Sequence, residues 1–128
     1  MAERKYTETI LDFGAIWVEW TGLLLNDTGE PYVAPAFGDK SVQAIGLAAG
    51  VGSEVTIEGS NNKFGQASPQ WDTLEDQNGT NLVFLNATTE KLKAVVQNVI
   101  QIRPNVTAGD GSTSVTVRML VSTAGRRG

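Results

Sequence analysis

Cysteine and histidine are both missing from the 128 residues. Without cysteine there is no disulfide framework, thiolate zinc site, iron–sulfur cluster or cysteine nucleophile. Without histidine there is no Ser-His-Asp triad, no imidazole base and no His-ligated metal or haem. These two gaps remove most hydrolytic and redox chemistry, so the chain reads as a non-enzyme with no cofactor and no metal. Basic residues are also outnumbered, ten to 14, giving a net charge of −4. That sign is wrong for a protein whose main ligand is a polyphosphate backbone, and nucleic acid is not an expected partner. Apolar runs are short, as at Leu23-Leu24-Leu25, against the ~20 residues that span a bilayer, so a membrane is not expected either. The opening Met1-Ala2-Glu3-Arg4-Lys5-Tyr6 carries charge with no apolar h-region behind it. The expected place of synthesis and residence is therefore the cytoplasm.

What is present is turn chemistry. Glycine numbers 14, and turn signals recur about every ten residues: Asn26-Asp27-Thr28-Gly29, Gly38-Asp39, Gly50-Val51-Gly52, Gly59-Ser60-Asn61-Asn62, Gln77-Asn78-Gly79 and Gly109-Asp110-Gly111. Between them the sequence alternates. Val55 and Ile57 share one face of a segment whose other face is Glu54, Thr56 and Glu58, the pattern of a half-buried strand. Val115, Val117, Met119 and Val121 point one way along Ser114 to Ser122, with Thr116, Arg118 and Leu120 opposite. Ile16, Val18 and Trp20 alternate with Trp17, Glu19 and Thr21 in a first strand. Asp39 to Ala49 gives another, and Thr80 to Asn86, with Leu82 to Leu85 consecutive, predicts a strand covered on both faces.

Lys93 to Val106 fits a helix or a strand. Its β-branched residues and Pro104, which keeps Arg103 out of the α region, favour a strand from about Val95 to Arg103. Thr88 to Lys93 predicts one helical turn capped by Thr88 or Thr89. The link from Thr107 to Ser112 predicts a hairpin into the last strand. The expected architecture is all-β: an antiparallel β-sandwich, jelly-roll or immunoglobulin-like, of about seven or eight strands. It spans residues 15–122, after an N-terminal arm over 1–14 that has no evident partner and before a frayed tail over 123–128.

Few residues suggest chemistry. Glu54 and Glu58 on one strand face lie about 13 Å apart at ~3.3 Å per residue, too far for a glycosidase pair. Glu75 and Asp76 belong to a turn. Asp110 lacks the alternating acidic ligands of a calcium loop and reads as a hairpin residue. Gly46 to Gly52 has no Lys-Ser/Thr after it to make a nucleotide loop. Four Asn-x-Ser/Thr sequons begin at Asn26, Asn78, Asn86 and Asn105, which polar turns produce without glycosylation. The aromatics say more, because a strand with a tryptophan on each face cannot bury both in one core. Tyr6, Phe13, Trp17, Trp20, Tyr32 and Phe37 are the candidate subunit or partner interface, with Glu30 to Phe37 a proline-stiffened stretch suited to lie along another surface. Trp71 reads either as a core plug or, with Phe64, as a sugar-stacking platform beside the Gly59 to Gln70 loop.

The order of pieces from about residue 20 to 122 carries a resemblance. Trp20, Asn26-Asp27-Thr28-Gly29-Glu30-Pro31, Gly38-Asp39-Lys40-Ser41-Val42-Gln43, Val55-Thr56-Ile57-Glu58-Gly59-Ser60-Asn61-Asn62, Trp71-Asp72-Thr73-Leu74, Ile102-Arg103-Pro104 and Ala108-Gly109-Asp110-Gly111-Ser112-Thr113 together resemble small structural proteins encoded among the head genes of tailed bacteriophages. Glu58-Gly59-Ser60-Asn61, with an aromatic ten residues on, is also similar to a turn of discoidin-like sandwich domains, from which Asn62 and Lys63 depart. The resemblance implies a capsid decoration, or cement, protein on the outer surface of a phage head. It further implies a homotrimer bound to the major capsid protein, located in the virion after synthesis in the host cytoplasm. In that setting the arm from Tyr6 to Trp20 and the Tyr32 to Phe37 segment would make the contacts, and a sandwich lacking residues 1–14 would still melt cooperatively. A carbohydrate-binding β-sandwich module and a tail or adaptor component are the alternatives.

Overall fold

A computed structural model of the chain describes residues 2–11, 14–33, 39–46, 52–63, 67–85 and 92–122. Its described residues form twelve strands: β1 (Glu3–Arg4), β2 (Tyr6–Ile10), β3 (Ala15–Leu23), β4 (Thr28–Gly29), β5 (Tyr32–Val33), β6 (Asp39–Ile45), β7 (Glu54–Ser60), β8 (Asp72–Thr73), β9 (Val83–Leu85), β10 (Leu92–Val95), β11 (Gln101–Ala108) and β12 (Val115–Ser122). They make two sheets. One is five-stranded and antiparallel, in the order β10-β6-β12-β3-β2; the other runs β1-β4-β11-β7-β8, with β5 also on β11 and β9 also on β7. The β1–β4 pair is parallel. None of the helices needed to cross a bilayer is found among the described residues.

The chain changes sheet at nearly every connection after β3. With β1 and β2 set aside as edge additions, the short β4 and β5 counted as one strand, and β8 and β9 as another, the sheets read β3-β12-β6-β10 and β4/β5-β11-β7-β8/β9. This is the eight-stranded, doubly folded order of a jelly roll, which decides between the two expected sandwich types. One expected hairpin is corrected by it. β11 lies in one sheet and β12 in the other, so Gly109 to Ser114 arches across the edge of the sandwich. Gly109 takes φ 149° there, and the Asp110 N–H donates to Thr113 Oγ1 at 2.9 Å. Local turn chemistry permits the reversal but does not say which sheet receives the next strand.

The core lies between the sheets. Val115, Val117, Met119 and Val121 are fully buried from β12, facing Val55, Ile57, Ile102 and Val106 of the opposite sheet. The expected alternation of β3 also holds, with Val18 and Trp20 inside. Leu23 follows Trp20 by three residues yet is also buried, because the β3–β12 register shifts between Val115 and Val117. Gly22, at φ 68°, supplies the left-handed backbone that such a bulge uses.

Three further expectations are corrected. Lys93 to Val106 is two strands in different sheets, since the chain leaves β10 at Val95 and enters β11 at Gln101. Leu82 and Phe84 are buried but Leu85 is exposed, so β9 has one covered face rather than two. The N-terminal arm has partners after all. β2 pairs with β3 from Tyr6↔Trp20 to Ile10↔Ile16, and β1 pairs with β4, so residues 3–10 extend both sheets. Their polar Thr and Glu pattern hides this, because an edge strand buries little. The expected helical turn at Thr88 to Lys93 and the tail at 123–128 fall on residues outside those described, apart from Leu92 and Lys93, which begin β10.

Candidate binding surfaces

The four described members of the six expected interface residues, Tyr6, Trp17, Trp20 and Tyr32, do not form one surface. Trp20 and Tyr32 are 1% and 4% exposed and belong to the core, which corrects their placement at an interface. Trp20 donates its indole N–H to the Glu30 carbonyl at 3.0 Å. Tyr32 donates its hydroxyl to Glu8 Oε2 at 2.8 Å. Tyr6 closes the group edge-on, with ring centroids 6.1 Å from Trp20 and 5.3 Å from Tyr32. Burial raises both tyrosine hydroxyls above the usual phenol range. For Tyr32 the hydrogen bond to Glu8 and its charge add to this, and for Tyr6 the charges of Glu30 and Glu8 do. These three aromatics therefore fix the N-terminal strands onto the sandwich. Phe13 and Phe37 lie outside the described residues.

Trp17 stands apart from them, half-buried on the outer face of the five-stranded sheet. Register places Thr9, Trp17, Leu120, Ser41 and Ala94 in one row across β2, β3, β12, β6 and β10. The adjacent row is Thr7, Glu19, Arg118, Gln43 and Leu92. Arg118 Nε donates to Glu19 at 2.7 Å, while its guanidinium carbon lies 5.8 Å from the centre of the Trp17 ring. Leu120 and Leu92 are exposed in this face. Alternation along Ser114 to Ser122 already set Leu120 and Arg118 opposite the core, but only strand pairing brings them beside Trp17.

The outer face of the other sheet is polar and internally paired. Glu58 accepts from Arg103 Nε at 2.8 Å and from Asn105 Nδ2 at 3.1 Å, and Glu54 accepts from the Thr107 hydroxyl at 2.8 Å. The two glutamates thus serve cross-strand ladders between β7 and β11. The Arg103 guanidinium also covers the Trp71 ring at 4.2 Å. Trp71 is half-buried on the surface, not the core plug its hydrophobicity suggests. Phe64, its expected companion, is outside the described residues.

The turn carboxylates have structural employment as well. Asp76 accepts from the backbone N–H groups of Asn78 at 2.8 Å and Thr80 at 3.0 Å, and these bonds lower its pKa. Asp110 accepts from the Ser112 N–H at 2.7 Å. Asp27 is buried and takes Leu24 N at 2.9 Å, Arg4 Nε at 2.7 Å and Ala2 N at 3.1 Å. Burial alone would push its carboxyl up, but the bonds from Leu24, Arg4 and Ala2 and the Arg4 charge outweigh that and hold it below the usual range.

A cleft of about 410 Å³ opens beside Trp71, lined by Gly59 to Asn62, Gln70, Asp72 to Leu74, Gln97 and Val99. Leu74 is buried and Val99 packs on the core, giving the cleft an apolar floor. Its walls are braced by amide side chains. Asn62 Oδ1 accepts from Gln70 N at 2.7 Å, Asn61 Oδ1 from Ile100 N at 3.2 Å, and Gln97 Oε1 from Glu75 N at 2.6 Å. The sequence suggested a turn at Gly59 to Asn62 but set Gln97 and Val99 within a strand from Val95 to Arg103, and it could not show that these segments meet.

No family model matches the chain. No curated protein matches it either. Among solved structures it is similar to the SPBc2 prophage-derived protein YomS, at TM-score 0.58 and 15% identity, over 88% of this chain and 98% of that one. Two adhesin domains of Lys-gingipain from Porphyromonas gingivalis W83 align less well. The K1 domain gives TM-score 0.41 at 8% identity, over 94% of this chain and 84% of that one. The K3 domain gives 0.39 at 9%, over 84% and 73%. At these identities the likeness to YomS is one of fold.

Proposed function

We propose that this chain is a non-enzymatic structural protein of a bacteriophage virion, a decoration protein that binds the outer surface of the head and stabilises it. The observation that carries the reading is the near full-length match in fold to a prophage-derived protein, taken with the sequence resemblance to phage head proteins. Chemistry agrees with it: the chain has no imidazole or thiol, and Glu54, Glu58, Asp27, Asp76 and Asp110 all act as structural acceptors. The contact surface in this reading is the outer face of the five-stranded sheet. There Trp17, Leu120 and Leu92 offer apolar area beside Thr9, Ser41 and the Glu19–Arg118 ion pair, apolar surface that a partner can cover.

In this reading the partner is the major capsid protein, and the chain assembles as a homotrimer at local three-fold positions. Repeated attachment then lets individually weak contacts add up. Solution mass measurement followed by cosedimentation with phage heads, before and after expansion, tests the proposal. Trimers that pellet with expanded heads are the expected result. A monomer that stays in the supernatant with every head form overturns it.

A further inference from the structure

We infer that the cleft beside Trp71 binds a neutral saccharide, a function independent of whether the chain decorates a head. Its described lining contains no Lys or Arg, and Asp72 is its one charged residue. A phosphate or a sugar acid would therefore meet a carboxylate with no lining cation to offset it. The remaining polar groups are amides and hydroxyls: Ser60, Asn61, Asn62, Gln70, Thr73 and Gln97.

Saccharide hydroxyls need donors and acceptors close together. Asn61, Asn62 and Gln97 each commit the amide oxygen to a backbone N–H of the wall, which fixes the side chain and makes its NH₂ the group it can present to a ligand. Asp72 is exposed, and its carboxylate can take two hydroxyl donors from a vicinal diol. Leu74 and Val99 below supply an apolar floor for the C–H face of the ring. Bracing matters here, because side chains already held in place lose less rotamer freedom on binding. The volume of about 410 Å³ is within the usual range for small-ligand sites.

The test titrates the intact protein with neutral di- and trisaccharides of glucose, galactose, mannose and N-acetylglucosamine at millimolar concentration. Binding is read from the side-chain NH₂ resonances of Asn61, Asn62 and Gln97 and from tryptophan emission. At least one saccharide is expected to shift all three amides. Asp72→Ala and Asp72→Asn should each weaken that binding about tenfold or more, through loss of a charged acceptor, with unchanged melting. Two results overturn the inference: no saccharide in the panel moving the three amides, or shifts of equal size in both Asp72 variants.

Discussion

Replacing Gly29 with alanine tests how the N-terminal half is locked to the sandwich. Gly29 sits in β4 at an ordinary φ, so the substitution brings no backbone strain. Space is the obstacle. An added Cβ would lie 2.5 Å from Pro104 Cδ and from Trp20 Cδ1, and 2.6 Å from Trp20 Nε1. Both neighbours are rings, and Trp20 is 1% exposed, so neither can turn away at low cost. Overpacking of this kind costs about 1–3 kcal/mol. Moving the indole also weakens its hydrogen bond to Glu30, worth roughly 0.5–1.5 kcal/mol. Against this stands a gain of about 0.4–1 kcal/mol from a stiffer unfolded chain.

The balance is a net loss of roughly 1–3 kcal/mol, or a fall in Tm of about 3–12 °C for a chain of this size. Thermal melts followed by circular dichroism measure it. Gly111→Ala is the control, because nothing lies within 4 Å of its added Cβ; its Tm should hold or rise. A Gly29→Ala protein that melts at or above the parent temperature would refute the close packing of Trp20, Gly29 and Pro104.

Three other outcomes are expected. Asp27→Asn should cost about 1–3 kcal/mol at pH 7 from weakened hydrogen bonds, with little from the exposed Arg4 ion pair. Because the folded pKa of Asp27 is depressed, its contribution is present above the unfolded value of about 3.9 and is lost as pH falls through the folded one; denaturant titrations of parent and variant should therefore converge in acid. Deleting residues 2–10 strips both N-terminal strands and uncovers Trp20 and Tyr32, so Tm should drop by roughly 10 °C or more, and an unchanged melt would mean those strands are dispensable. Leu120→Asp should abolish pelleting with phage heads while shifting Tm by no more than a few degrees, since Leu120 is 37% exposed; retained pelleting would move the contact off this face.

The all-β class and the core of the last strand were legible because a period of two is a local property. Val115, Val117, Met119 and Val121 alternate with Thr116, Arg118 and Leu120, and all four are buried. The pairing of residues 3–10 was not legible, since Thr-Glu-Thr on an edge strand looks like any exposed segment. Trp71 misled in the other direction. Hydrophobicity alone suggests burial, whereas Arg103, 32 positions later, covers the ring at the surface.

Composition by itself determined what this protein does without, imidazole and thiol chemistry, and its alternation and turn spacing determined a sandwich of short strands. Tertiary structure decided the rest: that Gly109 to Ser114 crosses between sheets, that Trp20 and Tyr32 are spent inside, that Trp17 meets Leu120 outside, and that three loops enclose a cleft. The physical reason is range. Side-chain alternation is set by neighbours two residues apart, whereas sheet membership, burial of a given aromatic and the meeting of loops depend on contacts between residues tens of positions apart.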